Sequence, residues 1–292
     1  MGLPAGVASR FVKIGPIRAH YLEAGAGEPV VLMHSAEFGG RSEFSWRYTI
    51  GPLAEHFHVF APDMLGFGYT DKIYSFTDPY GFRVRFIRDW MDTLCIPSAH
   101  FIGNSFGGSL ILTVAATEPC PWNIRSIVTS SGGGFAPVNE ARTILNDYDG
   151  SRDWMRRMLQ VLFWDDRWWS DDEVEERWQA SLEPGTWSAT AAARLAVPGQ
   201  PRATPPERPD YGKIRAPTLL TGGNEDLLRE PGTWEQLHRQ IAGSELHVFS
   251  PARHCPHIEF ADEFNRLAIE FVKRHASGDL AQGSRAGAPS AP

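Results

Sequence analysis

The chain contains little cysteine and no long apolar run. Its 292 residues include three cysteines, Cys95, Cys120 and Cys255, too few and too widely spaced for a disulfide framework or a CxxC metal site. The first residues lack the basic stretch and apolar stretch of a secretory leader, and no apolar run reaches membrane-spanning length. We therefore expect a soluble protein of the cytoplasm.

Positive charge and cofactor motifs are also scarce. Lys and Arg number 28 against 35 Asp and Glu, for a net charge of -7, which argues against nucleic acid or an anionic membrane as partner. The sequence has no dinucleotide-binding GxGxxG, phosphate-binding loop or HExxH. His56 and His58 share a strand face, but no Cys, Asp or Glu cluster accompanies them. We expect neither a cofactor nor a metal.

What the sequence does contain is a serine between a predicted strand and a predicted helix. Ser105 follows the apolar run that begins at Phe101 and precedes a buried helical run, residues 110–116. Gly103 and Gly107 stand two residues to either side, where a nucleophile elbow needs small residues because strand and helix nearly touch. Free N–H groups at the helix start favour a developing oxyanion. The pattern predicts a nucleophilic serine; the alternative is a glycine-rich turn with an incidental serine.

Short apolar runs alternate with helical periods on both sides of this turn. That spacing predicts a mostly parallel sheet with helices on both faces. The predicted elements are a hairpin Phe11–Tyr21, strands Pro29–His34, His56–Asp63, Ile124–Ser130, Ala216–Gly222 and Glu245–Phe249, and helices Phe44–Glu55, Val84–Leu94, Thr233–Ile241 and Ala261–His275.

The pattern changes between the two halves of this core. Residues 137–210 have no strand-like apolar run and instead show amphipathic helical stretches at Trp154–Trp164 and Asp171–Leu182, followed by a proline-rich connector. Several of the ten tryptophans lie here, which indicates either an apolar aromatic pocket or core packing. We predict α/β core over 1–136 and 211–275, a helical cap over 137–210 and a disordered tail over 276–292.

A serine nucleophile needs a base, and the base needs an acid that fixes its tautomer. In such a sheet both partners follow later strands, in the order serine, acid, histidine. Asp226 follows the Thr218–Gly222 run, with Glu225 as its neighbouring rival. His254 follows the Leu246–Phe249 run, with His257 as its rival. The order predicts a triad of Ser105, Asp226 and His254.

Two backbone N–H groups are expected to bind the oxyanion. The first belongs to Phe106, directly after the nucleophile, and the second to the loop after His34, at Ala36 or Glu37.

Four stretches resemble the α/β-hydrolase superfamily and, more narrowly, the meta-cleavage product hydrolases, serine-dependent carbon–carbon bond hydrolases of bacterial aromatic degradation. They are residues 103–108, 61–71, 245–249 and 171–178. The resemblance covers residues 10–275 and implies an α/β-hydrolase fold. It implies that Asn104 helps to orient the substrate and that Arg177 reaches from the cap to the substrate's carboxylate and dienol oxygen. Dimers are common in that family, so a homodimer is an expectation.

Three positions depart from the family pattern. The oxyanion loop reads His34-Ser35-Ala36-Glu37-Phe38-Gly39-Gly40, with side chains where the family has small residues. Ser45 stands where an asparagine is expected, and Cys255 where a tryptophan follows the catalytic histidine. Ser35, Ser45 and Cys255 thus occupy expected substrate-binding positions.

The sequence therefore predicts a serine hydrolase acting on an apolar, aromatic small molecule. In the favoured interpretation a ring-fission product, a vinylogous diketone with a carboxylate, tautomerises to a ketone, is attacked or hydrated at its carbonyl, and loses a carbon–carbon bond. The alternative enzyme is a carboxylic ester hydrolase or lactonase with the same triad. A non-catalytic binding protein on this fold is the remaining class.

Overall fold

A single mixed sheet forms the centre of the molecule. The computed structural model describes residues 3–193, 195, 199 and 209–276. Within them the strands are β1 Ala8–Ile14, β2 Ile17–Gly25, β3 Pro29–Met33, β4 His58–Pro62, β5 Ala99–Asn104, β6 Ile124–Ser130, β7 Thr218–Gly223 and β8 Glu245–Phe249.

The strand order is β1-β2-β4-β3-β5-β6-β7-β8. β1 and β2 form the predicted edge hairpin, with Phe11 opposite His20, and β2 runs antiparallel to β4. All remaining neighbours are parallel, and β3 and β5 pair with Met33 opposite Gly103. The predicted mostly parallel sheet is confirmed, and its register brings the ends of β3 and β5 together.

Helices cover both faces of the sheet and the edge where the parallel strands end. They are α1 Ser42–Ser45, α2 Ile50–Ala54, α3 Pro79–Thr93, α4 Phe106–Ala115, α5 Glu140–Asn146, α6 Arg152–Leu162, α7 Asp171–Ser181, α8 Thr186–Ala192, α9 Thr233–Gln240, α10 Pro256–Glu259 and α11 Ala261–Ala276. No helix of the described residues is long and apolar enough to cross a membrane.

The predicted helices Phe44–Glu55 and Val84–Leu94 differ most from the structure. The single helix predicted over Phe44–Glu55 is wrong: α1 and α2 are separate. A continuous helix would put Pro52 in its interior, whereas in α2 the proline lies in the first turn, where no N–H is needed. α3 begins at Pro79, earlier than predicted, because the Asp78 carboxylate caps it by accepting the Gly81 N–H at 2.9 Å.

Alternate residues of the central strands supply two separate apolar cores. Phe101 of β5 packs with Trp90 of α3 in one core, while Ile102 packs with Trp46 and Phe264 in the other. All five side chains are almost completely buried. The period of two along each strand explains why both faces require helices.

A third apolar cluster lies in the predicted cap. It joins Met155, Met158 and Phe163 to Val174 of α7 and to Phe38 of the loop after β3. Within the described residues, 137–193 contains helices and no strand, as predicted. The domain bounds stay a prediction, and residues 277–292 of the predicted tail and most of the proline-rich connector lie outside the described residues.

A second Ser-His-Asp arrangement ties the edge hairpin to the sheet. Ser9 Oγ lies 2.9 Å from His20 Nε2, and His20 Nδ1 lies 2.7 Å from Asp63 Oδ2. The same carboxylate accepts the N–H groups of Ser42 and Tyr69. Ser9 lies inside a strand that pairs with β2, not at a turn before a helix, so we assign this cluster to structure.

Asp63→Asn is expected to lower the free energy of unfolding by about 3 kcal/mol, because it removes a buried carboxylate that binds His20 Nδ1 and accepts the N–H groups of Ser42 and Tyr69. Burial raises the pKa of Asp63, but the hydrogen bond and charge of His20, followed by the charge of His34, outweigh it and hold the pKa below its usual range. The carboxylate's contribution is therefore present at neutral pH and lost as the pH falls below about 3.9.

Urea unfolding at several pH values measures this difference. The difference in the free energy of unfolding between wild type and Asp63→Asn should become smaller below about pH 4. Asp71→Asn, which removes a more exposed carboxylate that accepts the Arg18 N–H at 2.8 Å, should cost less than about 1 kcal/mol. Equal losses in both variants would contradict the role given to Asp63.

Candidate active site

Ser105 lies at a strained turn between β5 and α4. Its φ of 49° and ψ of -111° lie outside the regions that a serine ordinarily adopts. A Cβ on Gly103 would lie 2.5 Å from the Gly108 nitrogen, and one on Gly107 would overlap the Met33 carbonyl. Small residues are thus required at both positions, as predicted, because β5, α4 and the end of β3 come together there.

The structure brings Ser105, His254 and Asp226 into a continuous hydrogen-bonded series. Ser105 Oγ lies 2.7 Å from His254 Nε2, and His254 Nδ1 lies 2.7 Å from Asp226 Oδ2. With Nδ1–H donated to the carboxylate, Nε2 can accept the serine proton. This arrangement can activate the hydroxyl for attack on a carbonyl.

Asp226 is buried and held in one orientation. It is 7% exposed, and its Oδ1 accepts the Leu228 N–H at 2.9 Å. Burial raises the pKa of Asp226, but the charge and hydrogen bond of His254, with Arg229 behind, hold it below its usual range. The carboxylate is ionised at neutral pH and can stabilise an imidazolium at His254.

The two rival residues have other partners. Glu225 accepts the Ala252 N–H and the Ser250 hydroxyl, both at 2.8 Å, and so holds the loop before His254. His257 is fully buried with Nδ1 2.9 Å from Ser130 Oγ. Burial, followed by the charge of His254, lowers the pKa of His257 to about 3, so this ring is neutral at neutral pH. Neither rival contacts Ser105 in the described structure.

The loop after β3 runs beside the start of α4. His34 shapes this loop: its Nε2 accepts the Met64 N–H at 2.9 Å, and its Nδ1 donates to the Ser35 carbonyl at 2.6 Å. Gly107 packs directly against the Met33 and His34 carbonyls, which places the loop next to the Phe106 N–H. The oxyanion roles of Phe106 and of Ala36 or Glu37 stay a prediction, supported by this placement.

The Glu37 side chain turns back onto its own loop. The Ser35 hydroxyl donates to Glu37 Oε2, and a Cβ on Gly40 would lie 3.0 Å from Glu37 Cδ. Ser35 thus bonds to Glu37 here, and its contact with substrate stays a prediction. The carboxylate packs against Gly40 and is only partly buried.

Arg177 lies in α7 of the cap and is 7% exposed. Its guanidinium stands over the rings of Phe44 and Phe163, 5.1 and 5.5 Å from their centroids, and its Nε lies 3.6 Å from Glu173 Oε2. That Nε is buried without a hydrogen bond. The structure therefore contains a desolvated cation at the underside of the cap, although its contact with a substrate carboxylate stays a prediction.

The other predicted substrate residues lie near the triad. Asn104 Nδ2 donates to the carbonyls of Ser130 at 3.0 Å and His254 at 3.4 Å. Ser45 lies in α1, and its backbone is next to His257. Burial, reinforced by Glu37 and Glu259, raises the pKa of the Cys255 thiol well above its usual value, so the thiol stays neutral. Their contacts with substrate stay predictions.

Sequence reasoning missed the residues that connect the triad to the rest of the protein. The Ser130 carbonyl accepts the Ser105 N–H at 2.8 Å, and the His254 N–H donates to the Leu162 carbonyl of the cap at 3.0 Å. The Glu259 carboxylate accepts the N–H groups of Trp164 and Arg253. Only the position of Ser130 at a strand end could have signalled its role. The His254–Leu162 and Trp164–Glu259 contacts depend on how the cap docks.

The described part of the chain contains no candidate metal-binding site. Among residues 3–193, 195, 199 and 209–276, no group of three or more His, Cys, Asp or Glu side chains could hold a metal ion. Cys95, Cys120 and Cys255 are all free thiols.

Comparisons with known proteins give one consistent family. A family model described as "Alpha/beta hydrolase family" matches residues 30–267. The 2-hydroxymuconate semialdehyde hydrolase of Pseudomonas sp. (strain CF600) is 32% identical, covering 88% of this chain and 90% of that protein. The 2-hydroxy-6-oxo-6-phenylhexa-2,4-dienoate hydrolase of Comamonas testosteroni is 29% identical, covering 93% and 99%.

A solved structure of the same kind of enzyme has a similar fold. The meta-cleavage product hydrolase CumD from Pseudomonas fluorescens IP01 superposes with a TM-score of 0.79 at 28% identity, covering 91% of this chain and 97% of that one. The fold predicted from the sequence and its resemblance to the meta-cleavage product hydrolases are confirmed.

Proposed function

The chain belongs to the α/β-hydrolase family, and we propose that it hydrolyses a carbon–carbon bond in a vinylogous diketone formed by fission of an aromatic ring. The observation that carries the proposal is the aligned Ser105–His254–Asp226 series beneath a cap that presents the buried cation of Arg177. Relatives at about 30% identity have names that specify 2-hydroxy-6-oxo-dienoates or a 2-hydroxymuconate semialdehyde.

The chemistry of such a substrate explains why a carbon–carbon bond can break. In a 2-hydroxy-6-oxo-dienoate, moving the hydroxyl proton to C5 leaves ketones at C2 and C6. Breaking the C5–C6 bond then leaves the electron pair at C5, conjugated through C3=C4 to the C2 carbonyl. The leaving group is therefore a stabilised dienolate.

In the proposed reaction His254 Nε2 takes the Ser105 proton while Ser105 Oγ attacks the C6 carbonyl. The N–H of Phe106 and one N–H of the loop after His34 stabilise the oxyanion, each contributing about 10² to 10³ in rate. The dienolate departs and takes the proton from His254 Nε2. The neutral His254 then activates a water molecule, which releases the acyl group from Ser105 as a second acid while the proton returns to Ser105 Oγ. Asp226 holds the required tautomer throughout.

The wild-type enzyme provides the first test. Stopped-flow turnover should be measured on coloured ring-fission dienoates and, in parallel, on p-nitrophenyl esters. Turnover of dienoates with slower, still measurable ester hydrolysis supports the proposal. Turnover of esters alone would favour the ester hydrolase or lactonase alternative. Turnover of neither would favour a binding protein.

Arg177→Gln is expected to lower kcat/KM on an acidic dienoate by about 10² or more, because the substrate's carboxylate then loses its charged partner in a dry site. Hydrolysis of a neutral ester should change less than about fivefold. The matched control is Arg152→Gln, in the cap helix α6, where the arginine pairs with Glu175 at 2.9 Å and is half-exposed. An equal loss on acid and ester would indicate that Arg177 supports cap structure instead.

Location and assembly belong to the same proposal. The three free thiols support a reducing cytoplasm. A homodimer remains the expectation, which sedimentation of the purified protein tests.

A further inference from the structure

The end of the cap helix α6 lies against the loop that carries His254. An α-helix leaves its last carbonyl groups without helical partners, and here the loop supplies them. The Arg253 guanidinium donates to the carbonyls of Gln160 and, at 3.3 Å, Phe163. The His254 N–H donates at 3.0 Å to the carbonyl of Leu162, the last residue of α6. A positive charge at a helix C-terminus is also favourable, so the loop of the base caps a helix of the cap.

Glu259, at the end of α10, joins the same two segments through its side chain. Its Oε1 accepts the Trp164 N–H of the cap at 2.6 Å, and its Oε2 accepts the Arg253 N–H at 2.9 Å. Glu259 is 8% exposed, so its charge is withdrawn from water and depends on such donors. Because each oxygen is directed to a different segment, the carboxylate bridges the cap and the residue before His254.

The ring and the backbone of His254 are therefore held by different parts of the protein. Asp226 orients the ring through Nδ1, whereas the end of α6 binds the backbone. The 2.7 Å distance from His254 Nε2 to Ser105 Oγ depends on both. A displacement of about 1 Å between reacting groups can cost about 10²-fold in rate. A small movement of the end of α6 would consequently be felt at the base.

Resting on the proposed function, in which His254 is the base, we infer that Glu259 is a positioning residue for catalysis. It bonds the loop of the base to the end of α6, so that His254 reaches Ser105 only while this end of the cap is docked. Lifting the end of α6 would break its bonds to Arg253 and His254 together. This part of the cap therefore belongs to the catalytic framework and is not a lid.

Glu259→Gln removes the bridge while keeping the size of the side chain. A glutamine has one acceptor oxygen, and its NH₂ group would face the second N–H, so one of the two contacts is lost. We expect kcat to fall by about 10- to 100-fold on 2-hydroxy-6-oxo-6-phenylhexa-2,4-dienoate and by an equal factor on p-nitrophenyl acetate. The KM values should change less than about threefold, because no group that receives the substrate is altered.

The small ester separates positioning of the base from support of the cap. Acetyl transfer to Ser105 needs the triad and the oxyanion donors but no contact with the cap, so a purely structural change of the cap leaves it unaltered. Proton NMR of the His254 Nδ1–H, which its hydrogen bond to Asp226 moves downfield, gives a second measurement. This resonance should shift or broaden in Glu259→Gln.

Arg167→Gln is the matched control for the first variant. The Arg167 guanidinium contacts the backbone carbonyl of Glu259 at 3.3 Å, so its loss leaves both N–H donors on the carboxylate. This variant should keep kcat within about twofold on both substrates.

Arg253→Met tests the other side of the same contact. It removes the bonds to the Gln160 and Phe163 carbonyls and keeps the N–H that binds Glu259. We expect kcat to fall by about tenfold or more on both substrates. Circular dichroism and urea unfolding check the fold of each variant. If Glu259→Gln does not fold, Arg253→Met decides by the same criteria.

A kcat of Glu259→Gln within about threefold of wild type overturns the inference. A loss on the dienoate with normal ester hydrolysis also overturns it, because Glu259 then supports the cap and not the base. Both outcomes leave the proposed function standing, since wild-type turnover of the dienoate is measured first. A wild type that hydrolyses only the ester overturns the proposed carbon–carbon hydrolysis, and the inference is then decided on the ester. Turnover of neither substrate overturns both.

Discussion

Ser105→Ala is expected to lower kcat by about four to six powers of ten without changing the fold. The substitution removes only the Ser105 hydroxyl, whose oxygen lies 2.7 Å from His254 Nε2. Its loss leaves only binding and the oxyanion donors to accelerate the reaction. Stopped-flow turnover of a dienoate measures the rate, and circular dichroism with urea unfolding checks the fold.

The chain itself offers the matched control. Ser9 also belongs to a serine–histidine–aspartate series, because it contacts His20, which in turn contacts Asp63. This series lies on the edge hairpin. Ser9→Ala should therefore keep kcat within about twofold. Activity of Ser105→Ala within tenfold of the parent would contradict the assignment of the nucleophile.

Asp226→Asn and His254→Ala are each expected to lower kcat by about 10³ or more. The asparagine NH₂ can donate to His254 Nδ1, which favours the tautomer with the proton on Nε2, and the amide has no charge to stabilise an imidazolium. Without His254 nothing takes the serine proton. Because Asp226 is ionised over the whole neutral range, its substitution should lower the plateau of the pH–rate profile.

Glu225→Gln and His257→Gln are the controls for this pair. Each keeps a hydrogen-bonding atom for its structural partners, Ala252 and Ser130, and each should lower kcat less than about tenfold. Larger losses in these two variants than in Asp226→Asn and His254→Ala would reverse the assignment of acid and base.

Local patterns predicted most of the core because the physical constraints there are local. β6 and β8 have the predicted bounds, and both ends of α9 and α11 lie within one residue of the prediction. The prediction of one helix over Phe44–Glu55 is wrong because the apolar periodicity continues across Pro52, whereas a helix interior does not tolerate proline. The periodicity could not show that α3 begins at Pro79, since the start depends on the Asp78 cap.

The sequence by itself determined the elbow, the order serine–acid–histidine and the parallel sheet, because each rests on residue types at short spacing or at strand ends. The sequence predicts Asp226 over Glu225 and His254 over His257, but only the tertiary structure shows their contacts, since adjacent loop side chains differ in direction and not in pattern. Asp226 contacts His254, whereas Glu225 and His257 have other partners. The tertiary structure also brought Arg177 and Glu37 to the walls of one narrow crevice, which has no room for a water molecule. These two residues are far apart in the chain, and only the packing of the cap onto the loop after β3 brings them together.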